Sequence, residues 1–322
     1  MKNIFKQAIS TAVKMVMLIS IAVLLSLCSR ELRETKLQHM ESVNGALADN
    51  LKDTQNGYIR TLRTVANIMA DYENVPPNER RDRYDDMLLA VLKSESGIAS
   101  LYTVWKPNAL DGMDSRHIAR PGSSPSGQYA VSYKNDGGQI HKQTVADADI
   151  NTAIGYINGP NAKKDHVEEP SFARLNGRDT YLISMSVPIV NRRTNETTGI
   201  VGCLLDIDAI QKEVENILMN SYKIAAMTVY SNNGFIMGSY VPDRIGKNLI
   251  YVDTIYGEHI REAEQAVLQG MNFYCLSYSS VLRSNVAIFM TPFSIGNSDT
   301  TWSVMIAATE DYFKGRRLLN FR

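Results

Sequence analysis

Residues 98–114 read IASLYTVWKPNALDGMD. The first eight positions are a short apolar run with the β-branched and aromatic content of a strand. Pro107 then breaks the pattern and Asp111–Gly112 supplies a turn, so Trp105 stands at a strand end beside a loop. An aromatic wall with Asp111 and Asp114 close by is what a small-ligand pocket needs. The plain alternative is a core tryptophan over a solvated turn.

Working outward, Gln128–Tyr133 and Gln139–Val145 are strands around KNDGG, a hairpin signal. A polar helical stretch with Asp147, Asp149 and Tyr156 follows. Two long apolar runs come next, TYLISMSVPIV (180–190) and GIVGCLLDI (199–207), joined by the polar turn NRRTNET. Helix, strand, hairpin, helical insertion and paired long strands describe one antiparallel sheet with helices on one side, an α+β module. Beyond it the plan repeats on a smaller scale. A helix over 208–222 precedes strands at 224–230 and 235–240, a helix at 260–268, and strands at 272–279, 285–292 and 302–309.

Upstream, Ala8–Cys28 is apolar apart from Lys14 and is preceded by Lys2 and Lys6. That run of about 20 residues matches a bilayer core. LLSLCSR has no A-x-A-like cleavage pattern, so residues 1–30 read as a cytoplasmic tip and a retained transmembrane anchor. No proline interrupts 31–72, where Leu37, Met40, Leu47, Leu51, Tyr58, Leu62, Val65 and Met69 recur at helical spacing. Some 40 residues at about 1.5 Å each make a rod of about 60 Å. Such a helix packs lengthwise on its own modules, forms a dimer stalk, or does each along a different part of its length, and Pro76–Pro77 ends it. A shorter amphipathic helix covers 78–94. The chain closes on GRRLLNFR, whose Arg316–Arg317 before Leu318–Leu319 reads as the lip of a second membrane segment.

The expected division is thus anchor 1–30, stalk helix 31–75, membrane-distal module 76–208, membrane-proximal module 209–315, and the start of a second span at 316–322. At 322 residues the chain has room for about two domains. Its 34 basic and 34 acidic residues balance, so no overall field draws it to nucleic acid. Cys28, Cys203 and Cys275 rule out a disulfide-dense scaffold, and the latter two read as buried thiols rather than a bridge. None of the five histidines shares metal-ligand spacing with another or with a cysteine. NALDGMD lacks a calcium-loop run, and the chain has no nucleophile elbow, P-loop or dinucleotide loop. Neither a cofactor nor a catalytic set is expected.

With these residues laid out, the chain resembles the double Cache sensor regions of bacterial chemoreceptors, sensor kinases and cyclases. The resemblance rests on VWKPNALDGMD, SGQYAVSY, Tyr156 with Pro160, Glu169–Pro170, and SMSVPI followed by GIVGCLLDID. In the second module SNNGFIMGSYVPDRIGKNL and TTWSVMIAA carry it. It implies two tandem PAS-like modules on one long helix, outside the inner (cytoplasmic) membrane, paired as a homodimer through that helix. It also implies a small molecule bound in the distal module. The matching positions are Trp105, Asp114, Tyr133 and Asp149, with Asn108, Tyr129 and Tyr156 more loosely and Asp147 beside Asp149. The amino-acid-sensing branch carries an Arg two residues before the Trp, where this chain has Thr103. It also carries an Asp after the Glu-Pro-aromatic step, where this chain has Ala173 and Arg174. Lacking that bidentate clamp, the chain is expected to take an amine or purine-like ligand. The output is expected to be that of a chemoreceptor, with a histidine kinase or diguanylate cyclase as the alternative and an extracytoplasmic enzyme as a remote one.

Overall fold

A computed structural model describes residues 2–314, without the side chains of residues 2–14, 16, 25 and 29. Its organising element is helix α1, Lys2–Met69, unbroken over 68 residues. The seam read from the sequence is its packed face. Met40, Leu51, Leu62, Val65 and Met69 are buried, while Leu37, Leu47 and Tyr58 are partly covered. Each fully buried side chain of this kind is worth about 1.5–3 kcal/mol. Asn44 lies on the same seam and is also fully buried. Its amide donates to Thr291 Oγ1 at 3.0 Å and to the Val304 carbonyl at 3.3 Å.

After α2 (Arg80–Ser94) comes the distal sheet. Its strands are β1 (Ile98–Trp105), β2 (Ala130–Asp136), β3 (Gln139–Thr144), β4 (His166–Val167), β5 (Ser171–Leu175), β6 (Arg178–Val190) and β7 (Thr197–Asp206). The order is β3-β2-β1-β7-β6-β4, with β5 also on β6, and every pairing is antiparallel. Helix α3 (Asp147–Asn158) covers the face away from α1, over a small core of Val104, Ala130, Ile150, Ile157 and Ile200.

Helix α4 (Asp208–Asn220) leads to the proximal sheet. There β8 (Ala226–Tyr230), β9 (Ile236–Ser239), β10 (Phe273–Ser279), β11 (Ser284–Ser294) and β12 (Thr301–Thr309) lie in the order β10-β11-β12-β8-β9. Short helices α5 (Leu249–Val252) and α6 (Ile260–Gln269) close its outer face, and α7 (Glu310–Phe313) follows β12. One continuous core runs between α1 and the inner faces of both sheets. Along its described outer length α1 therefore packs on its own modules, the first of the three readings of the rod.

Four details depart from the sequence reading. Helices lie on both faces of the distal sheet rather than one, because α3 packs over Val104, Ala130 and Ile200 opposite α1. The rod ends at Met69, before the prolines, because the chain turns there to bring Tyr72 edge-on to Trp105, at 5.1 Å between ring centroids. Strand β2 runs to Asp136, so the hairpin turn is Gly137–Gly138 alone, both at positive φ. The short strands β4 and β5 were not anticipated in the charged stretch KKDHVEEPSFARL. They form because β6, at 13 residues, is long enough to pair both. The transmembrane anchor read at 8–28 lies within α1 and partly outside the described side chains. Among the described residues no helix is long and apolar enough to cross a membrane. The second membrane segment read at 316–322 lies outside the described residues.

Candidate functional site in the distal module

The pleat of β1 decides what faces what. Leu101, Thr103 and Trp105 point to one side, opposite Tyr133 and Val131 of β2 and Tyr129 just before it. That side is the α1 face. Trp105 is fully buried there, between Tyr72 and Tyr84, whose ring is stacked at 6.2 Å. Tyr129 is buried with it and donates to Asp85 Oδ1 at 2.7 Å, and Lys142 pairs with the other oxygen of Asp85. Tyr133 is buried on the same face, where burial and then Asp85 push its hydroxyl well above the usual tyrosine range.

Asp114 and Asn108 serve the loop that caps this edge. Arg81 on α2 donates to Asp111 Oδ2 and Asp114 Oδ1, each at 2.7 Å, and to Ser123 Oγ and the Gly127 carbonyl at 3.0 and 2.9 Å. Asp114 in turn accepts the Asn108 amide at 2.6 Å. Burial opposes the charge on Asp111, but the Arg81 hydrogen bonds and the Met113 amide outweigh it and hold the carboxyl below its usual value. Arg81 was absent from the sequence reading. The signal was there: Arg81 and Asp85 share the stripe of Tyr84, Leu88 and Leu92 on α2, and all five are buried.

The other face of the sheet holds a cleft beneath α3. Tyr102 and Ser132, directly paired across β1 and β2, look toward α3. With Asp149, Thr152 and Tyr156 of α3, and with Glu168 and Ser184, they line a cavity of about 510 Å³. Gly202 of β7 makes room for the Tyr102 ring, since a Cβ there would sit 2.4 Å from it. The Tyr102 and Ser184 hydroxyls are 3.0 Å apart, and Tyr156 donates to Glu168 Oε1 at 3.1 Å. Burial, then Glu168, pushes the Tyr156 hydroxyl up to about 12, so it stays a donor at neutral pH. Asp149 and Glu168 are the charged groups of the lining, and no Arg or Lys is among them.

The predicted residues are thereby divided by the sheet. Asp149 and Tyr156 line the cavity. Trp105, Tyr129 and Tyr133 pack against the helices on the opposite face, because β1 and β2 carry them at the other parity. Asp114 and Asn108 hold the loop, and Asp147 is exposed in the first turn of α3 outside the lining. Tyr102, Ser132, Glu168 and Ser184 were not singled out from the sequence. Among the described residues no group of three or more His, Cys, Asp or Glu is placed to hold a metal ion. Cys203 and Cys275 are buried free thiols.

A long helix carries two antiparallel modules, with a cleft beneath the helix of the distal one. Residues 84–212 match the family model of the methyl-accepting chemotaxis protein-like first PDC sensor domain. The whole chain is similar to the extracellular domain of mmHK1S-Z3, assigned as a histidine kinase, at a TM-score of 0.70 and 19% identity over 87% of this chain and 96% of that one. It is similar to the periplasmic sensory domain of the Campylobacter jejuni chemoreceptor Tlp1, at 0.61 and 15% over 86% and 98%. The ligand-binding domain of the Pseudomonas fluorescens chemoreceptor CtaA, solved with L-isoleucine, scores 0.56 at 14% over 89% and 97%. At these identities the likeness is one of fold. No curated protein matches the chain in sequence.

Proposed function

We propose that this chain is the ligand-binding sensor region of a bacterial transmembrane chemoreceptor, and that a small nitrogen compound without a carboxylate, an amine or purine-like base, binds in the distal cavity. The observation that carries the ligand class is the charge of the lining: two carboxylates and no Arg or Lys. A ligand carboxylate would meet Asp149 and Glu168 with nothing to neutralise it. An ammonium would gain about 1.5–3 kcal/mol from each charged hydrogen bond. A net of about 5–8 kcal/mol after ordering costs gives high-micromolar to micromolar binding, suited to a reversible sensor.

The exposed apolar side chains between Met15 and Leu27, eight of them at least half exposed, support a membrane anchor in the first part of α1. A homodimer through that helix is part of the same proposal. The likeness to mmHK1S-Z3 favours a second reading, the same sensor feeding a histidine kinase.

The test is calorimetric titration of the full chain in detergent with 1,4-diaminobutane, adenine and L-isoleucine. Binding of either nitrogen compound that weakens about 10–100-fold in Asp149→Asn or Glu168→Gln supports the reading. Saturable binding of isoleucine alone overturns the ligand class.

A further inference from the structure

The segment entering β4 and leaving toward β5 is two-faced. Glu168 turns into the ligand cavity, where Tyr156 donates to it at 3.1 Å. Its neighbours turn the other way, as the period of two in extended chain requires. The Val167 carbonyl accepts Thr300 Oγ1 of the proximal module at 3.1 Å, and the Glu169 carboxylate accepts the Ser231 hydroxyl. Two residues earlier Asp165, buried to 4% exposure of its side chain, pairs with Arg63 of α1 and accepts the Asn297 amide at 2.6 Å. The fit is tight. Gly296 sits at φ +57, and a Cβ there would lie 2.4 Å from the Asp165 carboxylate. A second cavity, of about 310 Å³, opens on the far side of the segment and shares Tyr156 and Glu168 with the first. The Tyr156–Glu168 hydrogen bond is the partition between them.

Resting on the reading of the distal cavity as the ligand site, we infer that residues 165–169 are a coupling strand. A cation that draws Glu168 off Tyr156 displaces the strand, and its other face moves the β11–β12 turn, residues 295–300, of the proximal module. This route runs beside α1 and meets it at Arg63, which pairs with Asp165, and at Asn56, whose Oδ1 accepts the Gly296 amide at 2.7 Å. It needs no new contact, because one short segment already carries the cavity wall on one face and the module interface on the other.

The experiment reads amide hydrogen exchange in the ligand-free full chain in lipid nanodiscs. Tyr156→Phe removes the restraint on Glu168 from the cavity side. Exchange across 295–301 should then rise by about threefold or more, with β10 (273–279) unchanged as the internal reference. Unchanged exchange at 295–301 while 166–169 loosens overturns the inference. Should Tyr156→Phe loosen the whole chain, Thr300→Val decides from the other side. Coupling is reciprocal, so this variant must speed exchange around Glu168, and no change there refutes the coupling strand. Since no ligand is added, a failed amine titration and a failed coupling are separate results.

Discussion

Replacing Arg81 by alanine should be among the most damaging single changes in the distal module. Its guanidinium reaches Asp111 and Asp114 at 2.7 Å each, with side-chain exposures of 8% for Arg81, 0% for Asp111 and 8% for Asp114. Removing it strands two carboxylates away from water, a lesion that costs about 3–5 kcal/mol. At about 2–4 °C per kcal/mol for a protein of this size, the melting temperature should fall by roughly 6–20 °C. Arg81→Lys should recover only part, since an ammonium cannot fork between two carboxylates and also reach the Gly127 carbonyl. The pH dependence supplies the sign. The Asp111 carboxyl is held below its usual value in the fold. Its contribution is therefore complete above the unfolded carboxylate value of about 4 and is lost as pH falls through the lower folded value. In Arg81→Ala the stranded carboxylates are relieved by protonation, so the gap between parent and variant should narrow below about pH 4. The assay is a tryptophan-fluorescence melt of the full chain in detergent from pH 7 down to pH 3. A loss under about 1 kcal/mol at pH 7, or a gap that does not narrow in acid, would refute the account of Arg81 as the clamp of this loop.

Gly202→Ala should drive the Tyr102 ring into the cavity, cost about 1–3 kcal/mol and abolish binding of the nitrogen probe by calorimetry. Trp105→Phe should lower stability by about 1–3 kcal/mol through the space it leaves and leave probe affinity within about twofold. An affinity loss of about tenfold at unchanged stability would return Trp105 to the ligand site. Burial raises the Glu169 carboxyl above its usual value even though Ser231 hydrogen-bonds to it. The parent should therefore lose stability as pH rises past the unfolded glutamate value toward the folded one. Glu169→Gln should melt at or above the parent at pH 7 and match it near pH 4, and a lower melt at both would count against this sign.

Much of the fold was legible because its punctuation is chemical. The proline-free seam gave the rod, and the turn residues around the hairpins gave most strands. One hairpin was passed over despite a clear mark. Asn176–Gly177 joins β5 to β6 with both residues at positive φ, 53° and 75°, as a tight two-residue turn requires. The site was harder for a different reason. IASLYTVW is apolar or aromatic on both faces, so no alternation says which parity meets the helices. Trp105 and Tyr102 are separated by three positions and look in opposite directions, and only the pairing of β1 with β2 and the docking of α1 assign them. Glu168 was hidden because the strand it follows is two residues long and set in charged sequence, where periodicity has nothing to work on.

Asn44 has a mechanical consequence. It is a fully buried amide in the seam of α1, held by Thr291 and Val304 at the middle of the proximal sheet. A slide of α1 by one turn, about 5.4 Å, would tear it from both partners in a place water does not reach, at about 1–3 kcal/mol. Tilting or rolling about that point keeps these two bonds, while the contacts of Asn56 and Arg63 on one side and of Lys36 with the Tyr312 carbonyl on the other take up the movement. Asn44 is thus a fulcrum. The 25 residues to Met69 form one arm of about 38 Å, and the 16 residues back to Cys28 form another of about 24 Å. A displacement at the distal tip would arrive at the inner end reduced by about a third and reversed in direction.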